Sequence, residues 1–569
     1  MNKLMLKTGK NTLPNTIFWL TAFLLLFWGL GQKALWGSED RWAEIVRSML
    51  LTRDFFHPSI NGLEYFDKPL LGYWLIVLTQ AITGSLNELA VRLPSAIAGL
   101  VVLWGTVRLG SQLWSEEVGR TAGWLLLTSY ALLFWARIGE ADMENLATIT
   151  MAVAWYWHRR EKPVFLTYFV FYLICFAGAH TKGLTAVIVP VLAILPDLLR
   201  QYRWKTHLNP GNVLALIVGG AIYLIPFVIA NSTSGGYHSS GLYQVFRENI
   251  LRYFQPFDHK EPFYVYFLYV PSLLLPWTPL FLGSLFGSPQ LLRTGDKNTR
   301  WLVETMVIIF VFFTLSGSRR NYYILPIIPF CALYMAVFLQ AAGNDKVKRI
   351  FLSLQVGLLS LVALVELLTP VLWPVVRERV GFVPPESLAL FTPLIGIFAL
   401  GVWLLHLQKT SPVQSLLGIS RNIGLPVLSA VILVGGFFCW QHIVLDVYRA
   451  GKPFAMELKA EIDRAKISPE DIAFYGKPAK DVAFYLDQPK PIQMLTSPEE
   501  ASRFFNSPGG VKLIIARQDC QNDLLPLIPP AQREKPLFAE KVYPWEKRKA
   551  FMRLSAWKIA AGSSELSEK

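Results

Sequence analysis

The feature that most constrains this chain is the recurrence of apolar stretches of membrane length from near its start to about residue 441. About 20 consecutive apolar residues cross the hydrocarbon core as a helix, and a spanning segment must satisfy its own backbone hydrogen bonds. Thirteen stretches qualify: 16–36, 90–112, 120–137, 143–158, 164–180, 184–199, 213–230, 263–286, 301–316, 322–340, 349–373, 387–407 and 423–441. Some are short or broken by proline. The expected fold is a membrane all-α protein of about 13 transmembrane helices. The composition agrees, because 53% hydrophobic and 17% charged residues is more apolar and less charged than an ordinary soluble domain. The 19 tryptophans suit a protein with many interfacial anchors.

The first stretch follows Lys3, Lys7 and Lys10, has no small-residue cleavage site after it, and is followed by more spans. It reads as a retained signal anchor. With that end inside, the inner loops include His158-Arg159-Arg160-Glu161-Lys162, residues 200–205 and Asn344-Asp345-Lys346-Val347-Lys348-Arg349. All are basic, as the positive-inside bias requires. The outer loops become 37–89, 138–142, 181–183, 231–262, 317–321, 374–386 and everything after 441. Segment 69–84 is apolar but short. As a span it would invert every later loop, so it reads as an interfacial helix on the outer leaflet. The chain is thus expected in the inner (plasma) membrane, with its C-terminus outside. A net charge of +14 belongs to inner loops and to groups meeting anionic lipid. Basic residues scattered among apolar spans do not make a nucleic-acid surface.

Two domains follow: a polytopic membrane domain over 1–441, with a large first outer loop at 37–89, and a soluble outer domain over 442–569. In the latter, strand-like runs (Asp471-Ile472-Ala473-Phe474-Tyr475 and Val511-Lys512-Leu513-Ile514-Ile515-Ala516) alternate with helix-like segments at 450–466 and 498–505, the pattern of a small α/β domain. Cys175, Cys331, Cys439 and Cys520 are far apart and form neither a disulfide framework nor a zinc signature.

Six charged elements lie at outer span ends, where ionisable residues are costly and invite a functional reading. Glu39-Asp40-Arg41 follows the first span; its acids could hold a divalent cation or deprotonate an acceptor, or they could be the first turn of a helix capped by Ser38. Asp67-Lys68 could meet a lipid phosphate, or Lys68 could simply snorkel. Glu140, Asp142 and Glu144 crowd a short hairpin with Arg137, as a site or as a solvated turn. Lys182 lies in a minimal turn. Asp258-His259-Lys260-Glu261 opens the eighth span. Arg319 and Arg320 lie outside, against the positive-inside trend, for which a bound phosphate or pyrophosphate is a good reason. Together they describe an outward pocket with acids for base or metal work and cations for phosphate. Nucleotide sugars are cytoplasmic, and no phosphate-cradling glycine motif is present in the sequence, so no nucleotide cofactor is expected.

At these residues a family resemblance emerges. The run Glu39-Asp40-Arg41-Trp42-Ala43-Glu44-Ile45, the segment from Asn61-Gly62 to Tyr65-Phe66-Asp67-Lys68-Pro69, and Arg92-Leu93-Pro94-Ser95-Ala96 resemble the dolichyl-phosphate-mannose protein mannosyltransferase superfamily. The bacterial 4-amino-4-deoxy-L-arabinose lipid A transferases are the most similar branch. Asp142, Thr181-Lys182-Gly183, Glu261-Pro262-Phe263-Tyr264, Pro276-Trp277 and Tyr323-Ile324-Leu325-Pro326 continue the match in order, over about residues 15–340. The resemblance implies a GT-C glycosyltransferase fold and inverting transfer from a polyprenyl-phosphate sugar. By position it makes Asp142 a catalytic acid, Arg41, Lys68 and Tyr323 donor-phosphate contacts, and Asp67 with His259 a pair able to bind a divalent metal (Mg, Mn or Zn). Ser38 stands where the family carries its leading Asp, so either Glu39 or Asp40 takes that acid's place or the activity is altered.

The expected function is transfer of a sugar from a polyprenyl-phosphate donor to a lipid acceptor, lipid A-like or another glycolipid, on the extracytoplasmic face. Glu39, Asp40 and Asp142 are the acid candidates. Lys68, Lys182, Arg319 and Arg320 take the leaving phosphate. Two rival readings remain. One is transfer to a protein Ser or Thr. The other is a flippase, which would call for charges near the midplane and an internal repeat.

Overall fold

The computed structural model describes residues 12–200, 203–233, 241–256, 258–381, 383–407, 413–543 and 550–559. They fall into two compact units. One comprises Met1–Gly31, Phe66–Pro370 and Ser387–Ile443; the other comprises Gln32–Tyr65, Val371–Glu386 and Val444–Lys569. The outer loop 37–89, one segment in sequence, is therefore divided between the units after Tyr65.

The first unit is helical. Seven helices are long and apolar enough to cross a membrane: Glu88–Leu113, Pro210–Ser232, Lys297–Leu315, Asn321–Gln340, Asp345–Leu367, Glu386–Leu405 and Arg421–Tyr448, the last running on past the unit's end. Val265–Leu273 and Thr278–Phe286 would make an eighth, but they turn through 120° between them. Helix occupies part or all of each of the thirteen apolar stretches, yet length and apolarity support seven or eight crossings among the described residues. The stretch 120–137 shows why. It breaks at Thr128-Ser129, where the Ser129 hydroxyl caps a new helix by accepting from Leu132 N at 3.3 Å. Segment 69–84 does hold a short apolar helix, Leu71–Thr83.

Small residues let these helices approach closely. A Cβ on Gly110 would lie 2.8 Å from Gly119 Cα, and one on Gly105 would lie 2.9 Å from Thr150 Cγ2. One consequence matters for chemistry. The helix Asp142–Arg159 packs against Phe165–Thr181, with Gly178 on Thr148. The start of the first helix is thereby set beside the end of the second.

Arg137 braces the same region from within. Its buried guanidinium donates to the carbonyls of Leu25 (2.8 Å), Leu26 (3.2 Å), Trp28 (2.7 Å) and Phe438 (3.2 Å). Those donations satisfy carbonyls at the end of the helix Thr12–Phe27 that have no partner within it.

The second unit carries two sheets. β1 (Ser59–Ile60) and β2 (Leu63–Glu64) form an antiparallel hairpin. The larger sheet has β3 (Ile472–Tyr475), β4 (Gln493–Leu495), β5 (Lys512–Arg517), β6 (Phe538–Ala539) and β7 (Leu554–Ile559) in the order β4-β3-β5-β7-β6. β3 is parallel to β4 and β5, and β7 is antiparallel to β5 and β6. β3 and nearly all of β5 are buried, as their continuous apolar runs require. Lys512, the buried charge of β5, is paired with Asp471 at 2.6 Å. The helices Gly451–Ala465 and Pro498–Asn506 lie where the sequence pattern puts them.

Residues 32–65 belong to this unit through specific polar contacts. Arg47 forms a bidentate pair with Glu44 (2.7 and 2.9 Å) and donates to Gln488 O at 2.8 Å. The Asn61 amide donates to Ile492 O and accepts from Ile492 N, at 2.8 and 2.7 Å, pairing as a strand residue would.

Candidate active site

In the first unit Asp142 opens its helix, where the positive end of the helix dipole favours a carboxylate. Lys182 is the residue that ends Phe165–Thr181, and its ammonium donates to Asp142 Oδ1. The same nitrogen lies 4.4 Å from the Tyr322 ring centroid and 5.7 Å from that of Tyr323, within cation–π range. The Arg320 guanidinium is 5.9 Å from the Tyr322 ring. Asp142, Lys182, Arg320 and Tyr323, four residues chosen from sequence, thus meet in one cluster. Glu144, two residues along from Asp142, is buried with the Ser95 hydroxyl 3.2 Å from Oε1.

A second cluster of this unit is a relay of charges. Lys68 Nζ lies 3.1 Å from Asp67 Oδ1 and 3.6 Å from Glu248 Oε2. Arg252 bridges Glu248 to Asp258, and Asp258 Oδ2 lies 3.3 Å from His259 Nε2. Burial, then the positive charge of Arg320, holds His259 below the ordinary histidine range, so its ring is neutral near pH 7. Sequence reasoning passed over Glu248 and Arg252. Their four-residue spacing on one helical face was the available signal.

Arg319 is engaged differently. Its Nε and Nη2 donate to Thr314 O (3.2 and 3.0 Å), its Nη1 to Glu261 O (2.7 Å) and its backbone N–H to His259 O (2.8 Å). It ties the His259–Glu261 turn to the end of Lys297–Leu315. Asp67 and His259, the expected metal pair, are each engaged by a neighbour, Lys68 and Asp258. Among the described residues no three His, Cys, Asp or Glu side chains gather as a metal ion would need.

In the second unit the helix Glu39–Thr52 begins just after Ser38, whose side chain makes no capping bond. Glu39, 1% exposed, instead closes the preceding turn by accepting from Trp36 N at 2.9 Å. Asp40 is half-buried. Burial first, and then the nearby Asp481 carboxylate, push it up to about 6, against the pull of Lys480 and Arg41. Arg41 Nη1 donates to the Tyr65 hydroxyl at 3.1 Å.

The family model of dolichyl-phosphate-mannose-protein mannosyltransferases matches residues 67–229. Undecaprenyl phosphate-alpha-4-amino-4-deoxy-L-arabinose arabinosyl transferase 2 of Sodalis glossinidius is 31% identical over 387 residues, which is 66% of this chain and 67% of the relative. Undecaprenyl phosphate-alpha-4-amino-4-deoxy-L-arabinose arabinosyl transferase of Aeromonas salmonicida is 32% identical over 58% of this chain and 60% of its own length. ArnT from Cupriavidus metallidurans, solved bound to undecaprenyl phosphate, superposes with a TM-score of 0.73 at 17% identity, over 97% of this chain and 99% of that one. The fold is thus the helical GT-C fold with a small C-terminal sheet, embedded in a membrane by several passes. The chain belongs to the superfamily of membrane glycosyltransferases that holds the aminoarabinose lipid A transferases and the protein mannosyltransferases.

Proposed function

We propose that this glycosyltransferase moves 4-amino-4-deoxy-L-arabinose from undecaprenyl phosphate to a lipid A-type acceptor at the outer face of the inner membrane. The 31% identity to an arabinosyl transferase over two thirds of that relative is the observation that carries the reading. The basic loops 158–162, 200–205 and 344–349 read as inner loops, which supports placing the chemistry, the domain 442–569 and the C-terminus on the opposite, outer side.

In the reaction proposed, an acceptor oxygen attacks the anomeric carbon from the face opposite the phosphate. The bond from that carbon to the phosphate oxygen breaks, and the configuration inverts. Asp142 takes the acceptor's proton; its Lys182 partner holds it oriented until substrate enters. The departing phosphate gathers charge, which Lys68, Lys182 and Arg320 stabilise, with the Tyr323 hydroxyl as a further donor. Arg319 holds the turn from which Arg320 and His259 are presented. Of the first-loop acids, Asp40 is assigned the role of the family's leading Asp, because Glu39 is fully buried while Asp40 is only half-buried.

The test is mass spectrometry of lipid A from an otherwise transferase-deficient host carrying the wild-type chain or Asp142→Asn. The reading expects aminoarabinose-modified lipid A with the wild type alone. Modification of protein Ser or Thr in its place would favour the mannosyltransferase-like reading. Unchanged modification with Asp142→Asn would remove Asp142 from the mechanism.

A further inference from the structure

The second unit holds a polar cluster assembled from segments more than 400 residues apart in sequence. Tyr65 stands at its centre. The Arg41 guanidinium lies 5.8 Å from the Tyr65 ring centroid and hydrogen-bonds its hydroxyl, and the Lys480 ammonium lies 5.5 Å from the same centroid. The helix Glu39–Thr52, which carries Arg41, packs against Lys480–Leu486. That packing is fixed by Leu35 N donating to the Tyr485 hydroxyl at 2.9 Å and by the Arg47 to Gln488 contact. The convergence of two cations on one ring is therefore built by the fold.

We propose that Lys480, carried by the C-terminal part of the chain, is a further substrate-binding residue of the transferase, which with Arg41 clamps a phosphoester anion beside Tyr65. The inference rests on the transferase reading above and extends it to a segment outside the family resemblance, which ends near residue 340.

Three physical points support it. The two cations reach one aromatic ring from distant segments, so a phosphoester at Tyr65 would meet both. A planar guanidinium paired with an ammonium suits phosphate, the first by bidentate geometry and the second as a point charge. The nearby carboxylates, Asp40 and Asp481, are both raised from the ordinary range, in each case chiefly by burial, while Lys480 and Arg41 pull Asp40 back down, so a phosphoester would compete with Asp40 for the same two cations. Asp481 also faces Arg553, and Lys452, on the helix Gly451–Ala465, lies 5.5 Å from the Tyr485 ring and adds positive potential beside Lys480–Leu486.

The phosphoester could belong to the lipid donor or to the acceptor, and the experiment separates them. Purified full-length chain in nanodiscs is titrated with undecaprenyl phosphate and, separately, with bisphosphorylated and dephosphorylated lipid A. The proteins are wild type, Lys480→Met, which keeps the apolar stem over Tyr65, and Lys480→Arg. The inference expects Lys480→Met to bind one phosphate-bearing lipid about 10-fold more weakly or worse, the usual loss for one charge-assisted contact, with Lys480→Arg restoring most of it. Weakened undecaprenyl phosphate binding assigns the clamp to the donor. Weakened binding of bisphosphorylated lipid A, with dephosphorylated lipid A unaffected, assigns it to the acceptor. Equal binding of both phosphorylated lipids by wild type and Lys480→Met overturns the inference and leaves the transferase reading intact. A wild type that binds neither overturns the transferase reading, and the inference with it. Lys480→Gln replaces the Met variant if that one does not run monodisperse.

Discussion

Lys182 donates to the carboxylate of Asp142, and this pair joins the end of one helix to the beginning of another. A lysine in that position either holds the acid or meets the phosphate, and substrate entry asks it to exchange the one for the other. Asp142→Asn keeps the shape but can no longer accept a proton. Turnover should fall by about 10²–10⁴-fold, the usual worth of a positioned acid or base, with expression and melting temperature near wild type. Lys182→Met should raise the KM for the donor and lower kcat together. Steady-state transfer assays on the purified variants check both.

The pH dependence turns on Asp40. Its carboxyl is pushed up to about 6, so it is charged only above that pH. If it acts as a carboxylate, wild-type transfer should climb as pH rises from about 5 to 7, and Asp40→Asn should lose that limb while keeping any limb set by other groups. Stability should move the other way. The folded group holds its proton more tightly than the free acid, whose value is 3.8. Its contribution is therefore full below that value and lost as pH rises through about 6. The melting temperature of wild type relative to Asp40→Asn should fall across the same window.

Arg137 serves the fold. With four carbonyls accepting from one buried guanidinium, Arg137→Gln leaves several buried acceptors without donors. The expected cost is about 3–5 kcal/mol, as when one side of a buried charged contact is deleted. Thermal unfolding in detergent should show a large drop, with the KM of the surviving fraction unchanged.

Gly183 controls the residue before it. Its φ of +150° and the Asn249 Oδ1 atom standing where a Cβ would go both exclude alanine, and that oxygen already accepts from Leu184 N at 2.8 Å. Gly183→Ala should cost about 1–3 kcal/mol of backbone strain and displace Lys182 from Asp142. Lower kcat at a temperature where the protein is still folded would separate that displacement from simple destabilisation.

Much of this was legible along the chain. The apolar stretches found their helices because bilayer thickness writes length directly into sequence. Asp142, Lys182 and Arg320 could be named one by one because charges at span ends are rare, and Tyr323 through the family resemblance. The number of crossings was not legible, since 120–137 and 263–286 look continuous in hydropathy yet break at Thr128-Ser129 and between Leu273 and Thr278. Nor was the division of labour between adjacent residues. Glu39 and Asp40, or Arg319 and Arg320, are equivalent by charge, and only their partners tell them apart.

The sequence by itself determined that the chain is a multi-pass helical membrane protein, which family it resembles, and which ionisable residues stand at span ends. Those properties follow from local hydrophobicity and residue type. Only the tertiary structure decided that Lys182 meets Asp142, that Arg319 is committed to carbonyls, and that Tyr65 receives Arg41 from one end of the chain and Lys480 from the other. Each of these depends on which backbone segments pack together, and side-chain pairing over a few ångströms is fixed by that packing and by nothing in the local sequence.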